Sequence, residues 1–232
     1  MPSYPSRRLL NSQARSGGSV SSPIGDPVGS GLVKSLARPG GNSTGLSTMG
    51  IDVAPKLLEM LRTLMPKVAR VAVLLNPANA VAPALLKNVQ AAAQRVGVKI
   101  QSAEASTPQE IANGFAAMAR QNAGALIVSL DTFFVQQKNQ IVELVAMHRL
   151  PSIGIYSEYV EAGGLMSYGQ NIRENYRRAA TYIDKIFRGA NPGDLPVERP
   201  TKFELFINLK TAKALGIKIP QSILVRADKV IE

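Results

Sequence analysis

Two short polar clusters in this chain have residue types suited to holding a small ligand. Asn76 and Asn79 follow the apolar run Val68–Leu75 directly, and Asp131 with Thr132 follows the apolar run Ala125–Leu130. A carboxylate such as Asp131 can hold an ammonium group. A helix opening at Asn79 offers free backbone N–H groups and the positive end of its dipole, which favour a carboxylate. An acceptor and an anion site together suit a zwitterion such as an amino acid. Asn and Asp are also common turn and cap residues, so this reading requires a fold that brings the two clusters face to face. Tyr156, Ser157 and Glu158 end and follow another apolar run, Ser152–Tyr156, and can reach the same place. Tyr168, in the glycine-flanked stretch Gly163–Gly169, can stack on or hydrogen-bond a ligand, or serve as a packed hinge residue.

The elements that must position these residues are legible as a repeat. Val68–Leu75, Val98–Ala103, Ala125–Leu130 and Ser152–Tyr156 are apolar runs of strand length, each followed by a helical pattern. Strands alternating with helices predict an α/β fold with a Rossmann-like parallel sheet, its crossovers right-handed. In the doubly wound arrangement the first and third strands are neighbours, and ligands bind in the crevice beyond the carboxyl ends of the strands where the order reverses. Asn76–Asn79 and Asp131–Thr132 then face each other at that switch point. The spacing predicts helices over 109–121 and 133–148, with Ser106-Thr107-Pro108 as an N-terminal signal, and another over 82–96 with Gly97 as its C-terminal stop. Val28–Leu36 reads as a short helix ended by Pro39-Gly40-Gly41, and 42–48 as an extended crossing segment. After Glu158 the rhythm changes. Helix 172–188, strand 203–208, helix 209–215 and the tail 219–231 read as pieces of a second lobe.

Much chemistry is excluded. With no cysteine there is no thiolate or disulfide. His148 is the one histidine and reads as a helix cap or surface residue. No His/Asp/Glu cluster has metal-ligand spacing, no nucleophile elbow is present, and Gly25–Gly31 fits neither a dinucleotide nor a phosphate loop. The expectation is no catalytic residue, no metal and no cofactor. The formal net charge is +11. Its carriers are scattered along the sequence, among them Lys67, Arg70, Lys87, Arg95, Lys99, Arg120 and Lys138, without the interleaved aromatics of a single-strand nucleic-acid platform. They read as a solvated basic surface, with nucleic acid not expected as a partner. Residues 1–24 lack the apolar core of an export signal and, rich in Ser, Gly, Pro and Arg, are expected to be disordered.

Four strings carry a resemblance: Asp26–Gly45 (DPVGSGLVKSLARPGGNSTG), Arg70–Asn79 (RVAVLLNPAN), Leu150–Gly169 (LPSIGIYSEYVEAGGLMSYG) and Leu195–Ile219 (LPVERPTKFELFINLKTAKALGIKI). Over residues 26–232 the chain resembles the ABC-transporter substrate-binding protein family related to tryptophan/tyrosine uptake. The resemblance implies a periplasmic-binding-protein type I fold, two Rossmann-like lobes closing on a small molecule that is handed to membrane permease subunits. It implies a complete second lobe over 46–163, a partial first lobe over 26–45 and 164–202, and a C-terminal crossing and packing segment over 203–232. Crossings fall at 42–47 and 163–169, with 203–208 near a third. Thr44, Asn76, Asn79, Asp131, Tyr156, Glu158 and Tyr168 would line the cleft. Family members carry an export signal and a long stretch of first lobe ahead of the first string, whereas only residues 1–25 precede it here. The expectation is therefore a product truncated at its N-terminus that binds weakly or not at all. Its location would be periplasmic by family and cytoplasmic as written. A ligand-sensing regulatory domain of the same fold and, less favoured, a Rossmann-like enzyme are the alternatives. The first lacks a DNA-reading helix-turn-helix ahead of the lobes, and the second lacks a nucleophile–base pair.

Overall fold

A computed structural model describes residues 19–24 and 26–232. The expectations for residues 1–18 and for Gly25 lie outside the described residues. In chain order the elements are β1 (Ser19–Ile24), β2 (Ser43–Ser47), α1 (Gly50–Leu64), β3 (Arg70–Leu75), α2 (Ala82–Gln94), β4 (Lys99–Glu104), α3 (Pro108–Arg120) and β5 (Ala125–Val128). They continue with α4 (Thr132–Gln136), α5 (Lys138–Met147), β6 (Ser152–Gly154), α6 (Ser157–Glu161), β7 (Met166–Gly169), α7 (Ile172–Phe187), β8 (Glu204–Asn208), α8 (Leu209–Leu215), α9 (Gln221–Leu224) and β9 (Lys229–Ile231). The described residues divide into two compact units, those up to Met49 with Ile172–Thr201, and Gly50–Asn171 with Lys202–Glu232.

The larger unit is built on a seven-stranded sheet of order β4-β3-β5-β6-β7-β8-β9. The strands from β4 to β7 are parallel, β8 returns antiparallel to β7, and β9 runs parallel to β8. The reversal of strand order falls between β3 and β5, where Leu74 pairs with Ala103 on one side and Val128 on the other. Val71–Leu75 and Ala125–Val128 are wholly buried, as continuous apolar runs in a two-faced parallel sheet must be. Alternate residues serve opposite faces. Val71, Val73 and Leu75 join Leu57, Leu61, Leu85, Val89 and Ile207 in one cluster. Local chemistry fixes the helix ends. Thr107, the N-cap of α3, accepts the Glu110 N–H at 3.2 Å, and Glu110 Oε2 reaches back to accept the Ser106 N–H at 2.7 Å and its hydroxyl at 2.8 Å, a capping arrangement displaced by one residue from the usual box. Those hydrogen bonds from Ser106 hold the Glu110 carboxyl below the usual range.

The late elements differ from the sequence expectation. Residues 166–169 form a strand parallel to β6, and 204–208 and 229–231 extend the same sheet, so 203–232 belong to the larger unit rather than to a separate crossing segment. β7 reads as a crossing because it is four residues long and flanked by glycines. The unit boundary falls at Asn171/Ile172, not at 163/164. The run 133–148 is two helices, broken at Gln137, and His148 is the C-terminal cap of the second. In the smaller unit, Val28–Leu36 is not a helix. Asp26 Oδ1 accepts the Gly29 N–H at 2.8 Å, and the single turn ends at Gly31, whose φ of +72° leaves the helical region. Ser19–Ile24, inside the segment expected to be disordered, pairs as β1 in parallel with β2. Helix α7 packs there through Ala179 and Tyr182, whose phenol donates to Pro196 O at 2.7 Å.

The scattered cations are not scattered in space. Because β3, β4, β5 and β6 run parallel, all four helix-to-strand connections return to one edge of the sheet. Lys67, Arg70, Arg95, Lys99, Arg120 and Arg149 fall in or beside those connections, all exposed, and residues 62–70, 94–99, 119–124 and 147–151 contain no acid. The opposite, strand-end edge carries Glu104, Asp131 and Glu158, with no Lys or Arg in 76–81, 104–108, 129–132 or 155–158. The arrangement agrees with the helix dipoles, which favour cations at helix C-termini and anions at N-termini.

Two glycines make room for one ring. A side chain at Gly154 or Gly164 would meet Tyr159 at 2.9 or 2.3 Å, and the Tyr159 hydroxyl meets Ser152 Oγ. Burial pushes the Tyr159 phenol well up. At Gly169 a Cβ would lie 1.7 Å from the Ile155 carbonyl oxygen, a backbone contact that cannot yield. Gly169→Ala is therefore expected to destabilise the protein by at least about 3 kcal/mol in urea unfolding, or to prevent folding. Asp228 Oδ2 accepts the Leu205 N–H at 2.9 Å and Oδ1 meets Lys202 Nζ at 2.9 Å, which together hold its carboxyl below the ordinary value. A depressed folded-state pKa gives stability that is present above the unfolded value and is lost as pH falls through the folded one. The Asp228→Asn variant should lose less stability than wild type on acidification from about pH 5 to pH 3, read by thermal melts.

Candidate functional site

The Asp131 carboxylate joins the loop after β3 to the loop after β5. Its Oδ1 accepts the Asn76 carboxamide at 3.0 Å and the Phe133 N–H at 2.9 Å, and its Oδ2 accepts the Asn79 carboxamide at 2.9 Å. Asn76 and Asp131 are both buried, Asn79 partly so. The extended conformation of Asp131 (φ −151°, ψ 139°) makes it the N-cap of α4. The loop after β3 is equally self-contained: Asn76 Oδ1 accepts the Ala78 N–H at 3.0 Å and Asn79 Oδ1 the Val81 N–H at 3.2 Å, while Asn79 O accepts the Ala82 N–H at 3.0 Å. Those N–H groups, expected to be free for an anion, are taken by the loop itself. A carboxylate has about four acceptor positions; three are filled here, leaving Oδ2 able to take one further donor.

The other expected residues divide into two groups. Thr132, the first residue of α4, is exposed beside Asp131. Glu158 is partly exposed in the first turn of α6 and accepts the Ser157 hydroxyl at 3.2 Å. Tyr156 lies beyond β6 at the same edge, as the residue that precedes α6, but its side chain is wholly buried. Its hydroxyl donates to Phe134 O at 3.2 Å and its ring lies edge-on to Tyr159 at 6.0 Å. Burial, with Tyr159, Glu158 and Asp131 nearby, pushes that phenol far up. Tyr168, within β7, stacks on Phe203 with ring centroids 5.7 Å apart. Thr44 lies in the smaller unit, where its hydroxyl donates to Leu195 O at 2.7 Å. One edge of the larger unit thus gathers Asn76, Asn79, Asp131, Thr132, Tyr156 and Glu158.

One residue at this edge escapes the sequence reading. Gln170 follows the last residue of β7, is 5% exposed, and has both carboxamide atoms buried without a hydrogen-bond partner. Among the described residues no other side chain has both polar atoms in that state. A buried unsatisfied group costs about 1–3 kcal/mol. In sequence a Gln after Tyr-Gly reads as ordinary loop; only recognition of β7 as a parallel strand would have put it beside Asp131's edge.

A doubly wound parallel lobe with polar loops gathered at its switch point is the architecture of a ligand-binding lobe of the periplasmic-binding-protein type I fold. The chain belongs to the ABC transporter substrate binding protein family, whose model matches residues 8–231. That match begins ahead of the stretch over which resemblance was read, so part of the segment 1–25 is family sequence. A tyrosine-binding protein of Clostridioides difficile (strain R20291) is 28% identical over 203 residues, which cover 84% of this chain. The chain spans just over half, 56%, of that curated relative's length. The crystal structure of an ABC domain from Streptococcus pneumoniae in complex with L-Trp superposes with a TM-score of 0.87 at 27% identity, over 97% of this chain and 77% of that one. A conserved domain protein from Vibrio cholerae superposes with a TM-score of 0.81 at 29% identity, over 88% and 68% of the two chains.

Replacing Asp131 leaves two carboxamides and a helix N–H without their acceptor. Asp131→Ala should cost about 2–4 kcal/mol in chemical denaturation. Thr132→Ala, which changes an exposed residue, should fall within about 0.5 kcal/mol of wild type.

Proposed function

We propose that this chain is the solute-capturing component of an ABC uptake system and that its solute is an amino acid with an aromatic side chain. The observation that carries the reading is the Asp131-centred rim at the β3/β5 switch point, where one acceptor position of a fixed carboxylate stays open to an ammonium group. The larger unit would line the binding site through Asn76, Asn79, Asp131 and Thr132, with Glu158 and Tyr168 further along the rim. The aromatic preference is supported by the tyrosine-binding relative and by the L-Trp complex of the pneumococcal domain. The family supports a partnership with membrane permease subunits, and work on the outer side of the membrane that holds them is part of the same proposal.

The protein would act by capture rather than bond chemistry. Asp131 is engaged by three donors, so it serves better as a fixed electrostatic anchor than as a mobile base. Tyr156, with its hydroxyl donated to a main-chain carbonyl, supports the floor beneath the loops. A ligand of this kind acts by preferring one conformation of the receptor and shifting the population toward it.

Ligand that binds only the folded protein raises its melting temperature with concentration. Millimolar L-Trp or L-Tyr should raise the melting temperature of the full chain in a saturable way, and a pentose should not. Equal response to all three, or to none, would refute the amino-acid reading.

A further inference from the structure

We infer that Gln170 is a ligand-recognition residue whose carboxamide takes the carboxylate of the amino-acid ligand; this rests on the function proposed above. Both of its polar atoms are removed from solvent with no partner in the protein. A fold that needed only to fill this place would do so at lower cost with Leu or Met, because an apolar side chain of similar size forfeits no hydrogen bond. A fully uncommitted carboxamide is a donor and an acceptor held ready.

Its position suits the role. β5, β6 and β7 are parallel neighbours, so Gln170 stands at the same strand-end edge as Asp131, with β6 between. Strands are spaced by about 4.8 Å, which puts the two backbones roughly 10 Å apart. That span can take a ligand whose ammonium and carboxylate share one carbon, with a hydrogen bond at each end. The preceding Gly169 is pressed against the Ile155 carbonyl, and Asn171 donates to Glu204 Oε2 at 3.3 Å, so the backbone on both sides of Gln170 is held.

Charge assigns the end of the ligand. The strand-end segments 76–81, 129–132 and 155–158 carry Asp131 and Glu158 and no Lys or Arg. At these segments a ligand carboxylate meets neutral N–H donors, and the cation at the neighbouring start of β8, Lys202, is already paired with Asp228 and Glu204. Asn76 and Asn79 each commit an N–H to Asp131 and their Oδ1 to the loop backbone, whereas Gln170 has its whole carboxamide to give.

The test compares full-length wild type, Gln170→Leu and Asp131→Ala, titrated by calorimetry with L-Trp and with tryptamine, which keeps the ring and the amine but lacks the carboxylate. Gln170→Leu should melt at or above the wild-type temperature without ligand. It should bind L-Trp about 10- to 100-fold more weakly, and should bind tryptamine as wild type does. Unchanged L-Trp affinity in Gln170→Leu, or equal losses for the two ligands, overturns the assignment. If that happens while Asp131→Ala still abolishes binding, the functional proposal stands without Gln170. If wild type binds neither L-Trp nor L-Tyr, both fall together.

Discussion

A single carboxylate holds two loops of this lobe in register. The strand order reverses between β3 and β5, so the chain leaves these neighbouring strands by loops that diverge to helices packed on the sheet. Asp131 spans the divergence, accepting one carboxamide N–H from each asparagine and capping its own helix. The same group that terminates β5 and starts α4 thereby fixes the geometry of Asn76–Asn79. Loop conformation, helix start and the shape of the rim are coupled through one anion.

Around that centre the unit spends its polar groups unevenly. Asn76, Asn79, Asp131, Ser152 and Asn208 are buried or nearly so, and each is matched by partners within the unit, as burial demands. Gln170 breaks that economy at the end of β7. Backbone contacts there are as tight as the fold allows, with Gly169 against Ile155 and the Tyr159 ring slotted over Gly154 and Gly164. Gln101 and Gln140 each leave one buried carboxamide oxygen unmatched, whereas Gln170, alone among the described residues, leaves both polar atoms so.

The sequence was most readable where each element had a long periodic signal. The runs 68–75, 98–103 and 125–130 alternate with amphipathic helices, and the switch-point neighbours Asn76 and Asp131 followed from that order alone. Reading failed where elements were short. β7, β8 and β9 together contain few residues, and the glycines beside β7 exist to let Tyr159 and Ile155 approach, which makes the strand look like a crossing. Val28–Leu36 has helical composition, but Asp26 and Gly31 confine it to one turn. Tyr156 looked like a cleft residue because its position in the chain is right; the direction of its side chain, toward Phe134, is set by packing that no local pattern encodes. The clustering of Lys67, Arg70, Arg95, Lys99 and Arg120 was hidden for another reason: residues far apart in sequence meet at an edge only once all connections are known to return there.

That edge gives the larger unit an electrical sense of direction. Over β3 to β6 the cations line one margin and the acids the opposite one, so that part of the unit is a dipole as well as a net positive body. Near any negatively charged plane it would feel a torque before contact, turning its helix-to-strand margin toward the plane and its Asp131 rim away. The effect acts within a screening length of about 8 Å at physiological salt, so it would govern the angle of approach in the last layers of water and vanish in brine.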